Sequence, residues 1–338
     1  MKPIIPFALL GALLAVGAAD AAVTDPVGYI TVNIVGNGET YISPTLVEPD
    51  VFSAASSVTP SGGSVITFTP TSGVPAGLNG SYVLEIKSSG WWATVVSSDA
   101  ALGTITVNSP FPGSLPANTT VAVRKHSTLE TFMGQNAPGF LTFDGINPSD
   151  EVQILNAGGL PQGVDSYGYI SGVDLGDPLY PNGAWWDVVN SAVANNTIIE
   201  PGSAVRIKRV GATPLSFTVD GEVKTTPTQV DLFTNFNWVG TPLAAGGTLD
   251  GMTFNSQLIQ FDGISPNYDE LQFLRPNQGT SPFASVLDGV TPTSASMFDL
   301  VNSVFAPTEP FKEGTGVIIL RIGSPMSVIT LPGTTVAP

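Results

Sequence analysis

The sequence predicts an all-β protein, built as tandem antiparallel β-sandwich or barrel-like repeat units with long loops behind an N-terminal signal peptide. Three observations predict this: apolar residues alternate with polar ones, the charge content is too low for helical surfaces, and segments recur along the chain. The alternation shows in Ile30-Thr31-Val32-Asn33-Ile34, in Thr104-Ile105-Thr106-Val107 and in Val205-Arg206-Ile207-Lys208. A period of two places one set of side chains in a core and the other in water. Turn-forming clusters separate such runs, among them Gly36-Asn37-Gly38, Pro60-Ser61-Gly62-Gly63, Asp220-Gly221 and Pro276-Asn277-Gln278-Gly279. They supply the positive or fixed φ that tight turns require. Glu200-Pro201-Gly202-Ser203 reads as a turn feeding a strand, and Lys312-Glu313-Gly314-Thr315 reads the same way. Short helical turns are expected at 187–193 and 299–305.

Charge comes next. Of 338 residues only 11% are charged, while 42% are hydrophobic. A typical globular chain carries about 25% charged residues. Helical bundles need more charge than this on their exposed faces, and disordered chains need less apolar content. The 27 acidic and 11 basic residues give a formal charge of −16. Such a surface repels phosphate backbones, so no nucleic-acid partner is expected. Basic residues gather only at Arg124-Lys125-His126 and Arg206-Ile207-Lys208-Arg209. With no Cys, the chain has no disulfide, thiolate nucleophile or thiolate metal site. His126 is the single histidine, which leaves no multi-histidine metal site.

The N-terminus carries Lys2, an apolar stretch from Ile4 to Ala19, and the small-x-small site Ala19-Asp20-Ala21. This is the layout of a secretory signal peptide cleaved after Ala21. Pro6 and Gly11 interrupt the stretch, which falls short of the roughly 20 apolar residues a membrane span needs. The mature chain is therefore expected to be secreted, extracellular or at the cell surface, with the periplasm as the other destination. No transmembrane span is expected after cleavage.

Internal similarity divides the remainder. Trp185-Trp186-Asp187-Val188-Val189-Asn190-Ser191 matches Met297-Phe298-Asp299-Leu300-Val301-Asn302-Ser303, and Gly202 to Arg209 matches Gly314 to Arg321 in the same register. Upstream, Phe143-Asp144-Gly145-Ile146-Asn147-Pro148 matches Phe261-Asp262-Gly263-Ile264-Ser265-Pro266, each followed by an Asp-Glu pair. A fainter copy runs through Tyr82 to Ile86, Trp91-Trp92 and Thr119 to Lys125. The expected division is a signal peptide at 1–21, a divergent N-terminal β unit at 22–129, a second unit at 130–226 and a third at 227–338.

Taken in order, Asp25–Val32, Asp150-Glu151, Trp185-Trp186, Asn195-Asn196-Thr197, Ile199 to Arg209 and Gly221-Glu222-Val223 form a pattern. The pattern resembles a paralogous family of secreted β-repeat proteins expanded in Verrucomicrobium-type bacteria. The resemblance spans nearly the whole mature chain and implies secretion and internal repetition. It implies no activity, substrate or cofactor.

Candidate site residues lie in the repeated box. Asp144, Asp150 and Glu151, with Asp262, Asp269 and Glu270, could offer carboxylate oxygens to Ca²⁺. The same residue types also build turns, and the spacing is not that of an EF-hand. Asp174 and Asp177 offer a lesser set of the same kind. Adjacent residues of a strand face opposite ways, so each Trp pair has one core member. Trp186, matched by Phe298, is expected in the core, leaving Trp185, and Trp92 in the other pair, free for ligand contact. No Gly-x-Ser-x-Gly elbow, phosphate loop or singled-out carboxylate pair marks a catalytic centre, and no cofactor-binding residue is identified. The expectation is a secreted, non-enzymatic cell-surface or extracellular-matrix protein acting through protein or polymer contacts. The alternatives are a carbohydrate-binding protein using exposed aromatics and a Ca²⁺-supported adhesin. Partners would be surface polysaccharide, other envelope proteins or further copies of the chain.

Overall fold

A computed structural model describes residues 27–57, 62–68, 73–137, 139–156, 163–240, 247–249, 257–262, 267–275, 279–287, 295–306, 310–311 and 314–330. It is an all-β architecture of antiparallel sheets. The chain enters through β1 (Val27–Ile34), turns at Asn37 with φ of +49°, and continues in β2 (Gly38–Ile42) and β3 (Leu46–Val47). In β1, Ile30, Val32 and Ile34 point inward while Thr31 and Asn33 face solvent, as the alternation requires.

A six-stranded sheet follows, made of β4 (Asp50–Ala55), β5 (Val65–Thr67), β6 (Tyr82–Ile86), β7 (Trp92–Asp99), β8 (Thr104–Val107) and β9 (Thr120–Lys125). Its strand order is β4-β9-β6-β7-β8-β5, so all of its ladders lie within this segment. Next come β10 (Ser127–Thr128) and the short helix α1 (Leu129–Met133). Thr128 caps α1: its hydroxyl accepts from the Thr131 N–H while the Thr131 hydroxyl accepts from the Thr128 N–H.

The chain continues through β11 (Glu151–Asn156), β12 (Gly163–Ser171), α2 (Gly172–Leu175), β13 (Gly183–Asp187), β14 (Ala192–Val193), β15 (Ile198–Ile199), β16 (Val205–Arg209) and β17 (Leu215–Val223). These strands do not close on themselves. The second six-stranded sheet has the order β14-β13-β12-β11-β16-β2, and β1 pairs with β17 over eight residues, from Val27↔Glu222 to Ile34↔Leu215. The first two strands of the described chain therefore belong with the last two before residue 226. The 50–125 sheet is nested between them.

The expected unit at 22–129 is corrected accordingly. Residues 27–47 carry strands of the second unit, because their exposed ladder edges find partners in β16 and β17. One smaller expectation also changes. Asp220-Gly221 is not a turn but lies inside β17, where Gly221 faces Gly28. The 187–193 and 299–305 segments are hairpin connections, each built on a single helical turn in which the Ser191 N–H donates to Asp187 O and the Ser303 N–H to Asp299 O. Asp187 Oδ1 accepts from the Val189 and Asn190 N–H groups, as Asp299 Oδ1 does from Val301 and Asn302. Of the other expected turns, Pro60-Ser61, Pro276-Asn277-Gln278 and Lys312-Glu313 lie outside the described residues.

The final segment comprises β18 (Thr228–Leu232), β19 (Asn235–Gly240), β20 (Gly247–Thr248), β21 (Glu270–Arg275), β22 (Gly279–Leu287), β23 (Ala295–Asp299), β24 (Val304–Phe305), β25 (Pro310–Phe311), β26 (Gly316–Arg321) and β27 (Met326–Thr330). Its sheet order is β19-β26-β21-β22-β23-β24, with β18 paired to β27. Strand for strand this is the order of the second sheet, with β18·β27 standing where β1·β17 stands. Among the described residues, no helix is long and apolar enough to cross a membrane.

Each sheet has its own core. Phe52, Phe68, Leu84 and Val95 centre the nested one; Val32, Ile34, Val152, Trp185 and Ile207 the second; Leu232, Leu271, Val317 and Ile319 the third. A small cluster of Tyr41, Ala204, Trp238 and Ile318 joins the second to the third. Backbone bonds stitch the same seam, from Ala204 N–H to Trp238 O and from Gly240 N–H to Gly202 O. The nested sheet reaches the third through Gly90, whose carbonyl accepts from the Gln229 N–H at 2.9 Å. Gly90 has φ of +73°, and a Cβ there would stand 2.7 Å from the Pro227 backbone, so this approach requires glycine.

A fragment spanning 130–226 lacks Ile30, Val32, Ile34, Ile42 and Leu46 of its own core. Burial of each such side chain contributes about 1.5–3 kcal/mol, together comparable to the roughly 5–15 kcal/mol that holds a domain folded. This fragment is expected to show no cooperative melt by circular dichroism, whereas 50–125 melts cooperatively.

Candidate functional site

The repeated acidic residues are brought to buried positions and tied to arginines. Asp150 precedes β11 and Arg209 ends β16, which pairs with β11. Arg209 Nη1 lies 2.5 Å from Asp150 Oδ2. The Asp150 carboxylate also accepts from the backbone N–H groups of Leu141 and Val210, both at 2.8 Å, and of Gly211. Asp269 and Arg321 form the same pair on β21 and β26, and Asp269 accepts from the N–H groups of Ile259 and Ile322. Both aspartates have no solvent exposure. Their oxygens are thus spent on protein donors, and the metal-ligand expectation for Asp150 and Asp269 is corrected on that ground.

The remaining acids of the box are placed apart from these two. Glu151 accepts from Gln153 Nε2 at 2.8 Å, and Glu270 accepts from Gln272 Nε2 at 2.6 Å. Asp144 closes a turn: Oδ1 takes the N–H groups of Ile146 and Asn147, and Oδ2 takes Asn147 Nδ2. The Asn147 backbone N–H, its side chain and then the Ile146 N–H hold the Asp144 carboxyl down at about 2. Asp262 is exposed. Asp174 bonds the Ser171 hydroxyl that caps α2, and Asp177 accepts from the Leu179 N–H. Among the described residues, no group of three or more His, Asp or Glu side chains is arranged to hold a metal ion.

The tryptophans reverse the expected facing. Trp185 is fully buried, donates from Nε1 to Gly134 O, and meets Phe140 and Tyr169 edge to face at 5.6 Å. Trp186 is the partly exposed member, as Phe298 is beside buried Met297. The alternation holds in both copies, but Trp185 and Met297 take the core position. Trp92 is half-buried, and its Nε1 donates to Gln229 O at 2.9 Å across the seam between nested and third sheets.

That seam opens into a cleft of about 410 Å³ where all three sheets contribute. Its walls include Trp92, Asp165, Glu200, Asp231, Phe233 and Trp238. The Trp238 face is covered by the Arg206 guanidinium at 5.0 Å, and Tyr41 packs edge-on at 5.3 Å. Glu200 stands at the rim, exposed overall. The protein packed round its carboxyl, followed by the Asp231 charge, still pushes its pKa up.

A second buried group escaped the sequence reading. Glu85 on β6 bonds both Arg124 on β9 and Lys224, which follows β17. All three side chains are buried, so one carboxylate holds two cations at the meeting of the sheets. Burial, opposed by Glu85, lowers Lys224 to about 8. Beside them His126 is also buried, with Nε2 3.2 Å from Thr94 Oγ1. Burial and the Arg124 charge hold it down at about 4. The signal in the sequence was Arg124-Lys125-His126 itself, a basic run on a strand with the two-sided apolar pattern of a central position.

No known family profile, curated protein or solved structure matches this chain.

Two outcomes follow from these placements. Asp150→Asn leaves Arg209 buried without its counter-charge, and should cost about 3–5 kcal/mol of unfolding free energy in urea titration. Addition of EDTA should leave the wild-type midpoint unchanged. The second concerns pH. His126 is neutral when folded and titrates near 6.5 when unfolded, so its contribution is full above pH 6.5. It is lost as pH falls from 6.5 toward 4, by up to about 3 kcal/mol. A His126→Gln variant should lack that part of the pH slope.

Proposed function

We propose that the protein is exported and works without catalysis, through contacts with protein or polymer partners at the cell surface or in the extracellular matrix. The observation that carries this reading is how the ionisable groups are used. The buried Glu85, Arg124 and Lys224, and the Asp150–Arg209 and Asp269–Arg321 pairs, are locked to one another, while an accessible cleft is lined by aromatic rings and carboxylates. A general acid or base must reach a substrate proton, and Asp150, Asp269, Glu85 and His126 are all closed off from solvent. The matching strand orders and matching Asp–Arg pairs support reading the second and third units as copies of one ancestral unit. The leader at 1–21 lies outside the described residues, and its composition is the support for export.

Carbohydrate binding is the second reading, favoured by the half-buried Trp92 ring in the wall of the cleft. Flat aromatic faces bury sugar rings, and carboxylates accept from hydroxyl groups. Trp185 plays no part in it, being core.

Cell fractionation followed by N-terminal sequencing tests the main proposal. Protein recovered from medium or envelope should begin at Ala22, and a cytoplasmic pool beginning at Met1 would sink it. For the second reading, retention on cell-surface polysaccharide should fall about tenfold in Trp92→Phe, a loss of about 1.4 kcal/mol. Equal retention of both proteins removes the cleft from sugar binding.

A further inference from the structure

We propose that the small cavity where the three sheets meet binds a monovalent inorganic anion of the chloride class. The cavity holds about 40 Å³ and is walled by Thr45, Arg124, His126, Ser127, Lys224 and Thr228, among others. A single water needs roughly 10–15 Å³ measured in this way, so one halide-sized particle fits.

Charge is the first argument. Arg124 and Lys224 share a single carboxylate, Glu85, and all three are at most 9% exposed. The charge of a further carboxylate, Asp50, also acts on Lys224, but Asp50 already pairs with Lys87 at 2.7 Å. Among the described residues, one buried positive charge therefore has no carboxylate of its own, which is costly away from water. Unmet donors are the second argument. Thr45 Oγ1 and His126 Nδ1 are buried and have no hydrogen-bond partner among the described residues, and both residues wall the cavity. When the Thr94 hydroxyl donates to His126 Nε2, the imidazole proton sits on Nδ1, which then becomes a donor. With the imidazole proton on Nδ1, two unmet donors beside surplus positive charge make a site for an anion. Water could accept from both donors but would not compensate the charge.

The test uses the whole protein at pH 7. Melting temperature is measured against sodium chloride, with sodium gluconate at equal ionic strength as the control, and crystals are grown in bromide. Chloride should raise the melting temperature saturably over gluconate, and bromide should give an anomalous peak in the cavity. Thr45→Val should weaken the apparent chloride affinity at least about fivefold, and Lys224→Met should abolish the chloride dependence. Equal melting in the two salts, or a cavity holding only water in bromide crystals, would overturn the proposal. Should Lys224→Met fail to fold, the wild-type bromide crystal still decides.

Discussion

The architecture depends on one long-range closure. β1 and β2, at the start of the described chain, must find β17 and β16 more than 160 residues later. Until they do, Trp185, Val205 and Ile207 face an incomplete core, and β16 and β17 keep open ladder edges. Backbone groups at such edges need partners when buried. Between the two halves of this closure sits a sheet whose strand ladders are all internal. The nested segment therefore makes no demand on the closure except that its ends lie close together. β4 and β9, which carry those ends, are neighbours in its sheet.

Ionic pairs then fix how the sheets sit. Asp150–Arg209 and Asp269–Arg321 each lock the entry of one central strand to the exit of its neighbour, 59 and 52 residues away. Glu85 does something different, because its second partner, Lys224, comes from beyond the second unit's last strand. A charge from the nested sheet is thereby bonded to the linker that leads into the third. Burying ions in this way contributes little net stability compared with apolar packing of equal volume. Its effect is on geometry: sliding the sheets apart would strand a charge.

Much of the fold was legible in the sequence. The strands at 30–34, 104–107 and 205–208 announced themselves by alternation, and Asn37 and Gly202 turned the chain where turns were expected. The recurrence of Asp-Glu and of the arginine-ending strand pointed to both members of the buried pairs. It did not say that they meet, since 52 to 59 residues separate them. Residues 27–47 misled because nothing local in a strand names its partner, and chain order suggested the neighbour in sequence. The Trp pair misled through strand phase: two adjacent indoles are equally apolar, and only the fixed register β12·β13 decides that Trp185 faces Phe140. Glu85 was hidden because one glutamate within an apolar run carries no mark of its distant lysine.

The closure can be tested by a single cross-link. The chain has no cysteine, so introduced pairs are unambiguous. Thr31 and Thr218 face one another in the β1·β17 ladder. Facing residues of antiparallel strands stand about 4.5–5.5 Å apart at Cα, within disulfide range. Thr31→Cys combined with Thr218→Cys should oxidise to an intrachain disulfide, visible as a linked peptide by mass spectrometry. Thiols that stay free in the folded protein, or a thiol at position 31 that cross-links only to cysteines placed within 50–125, would contradict the closure.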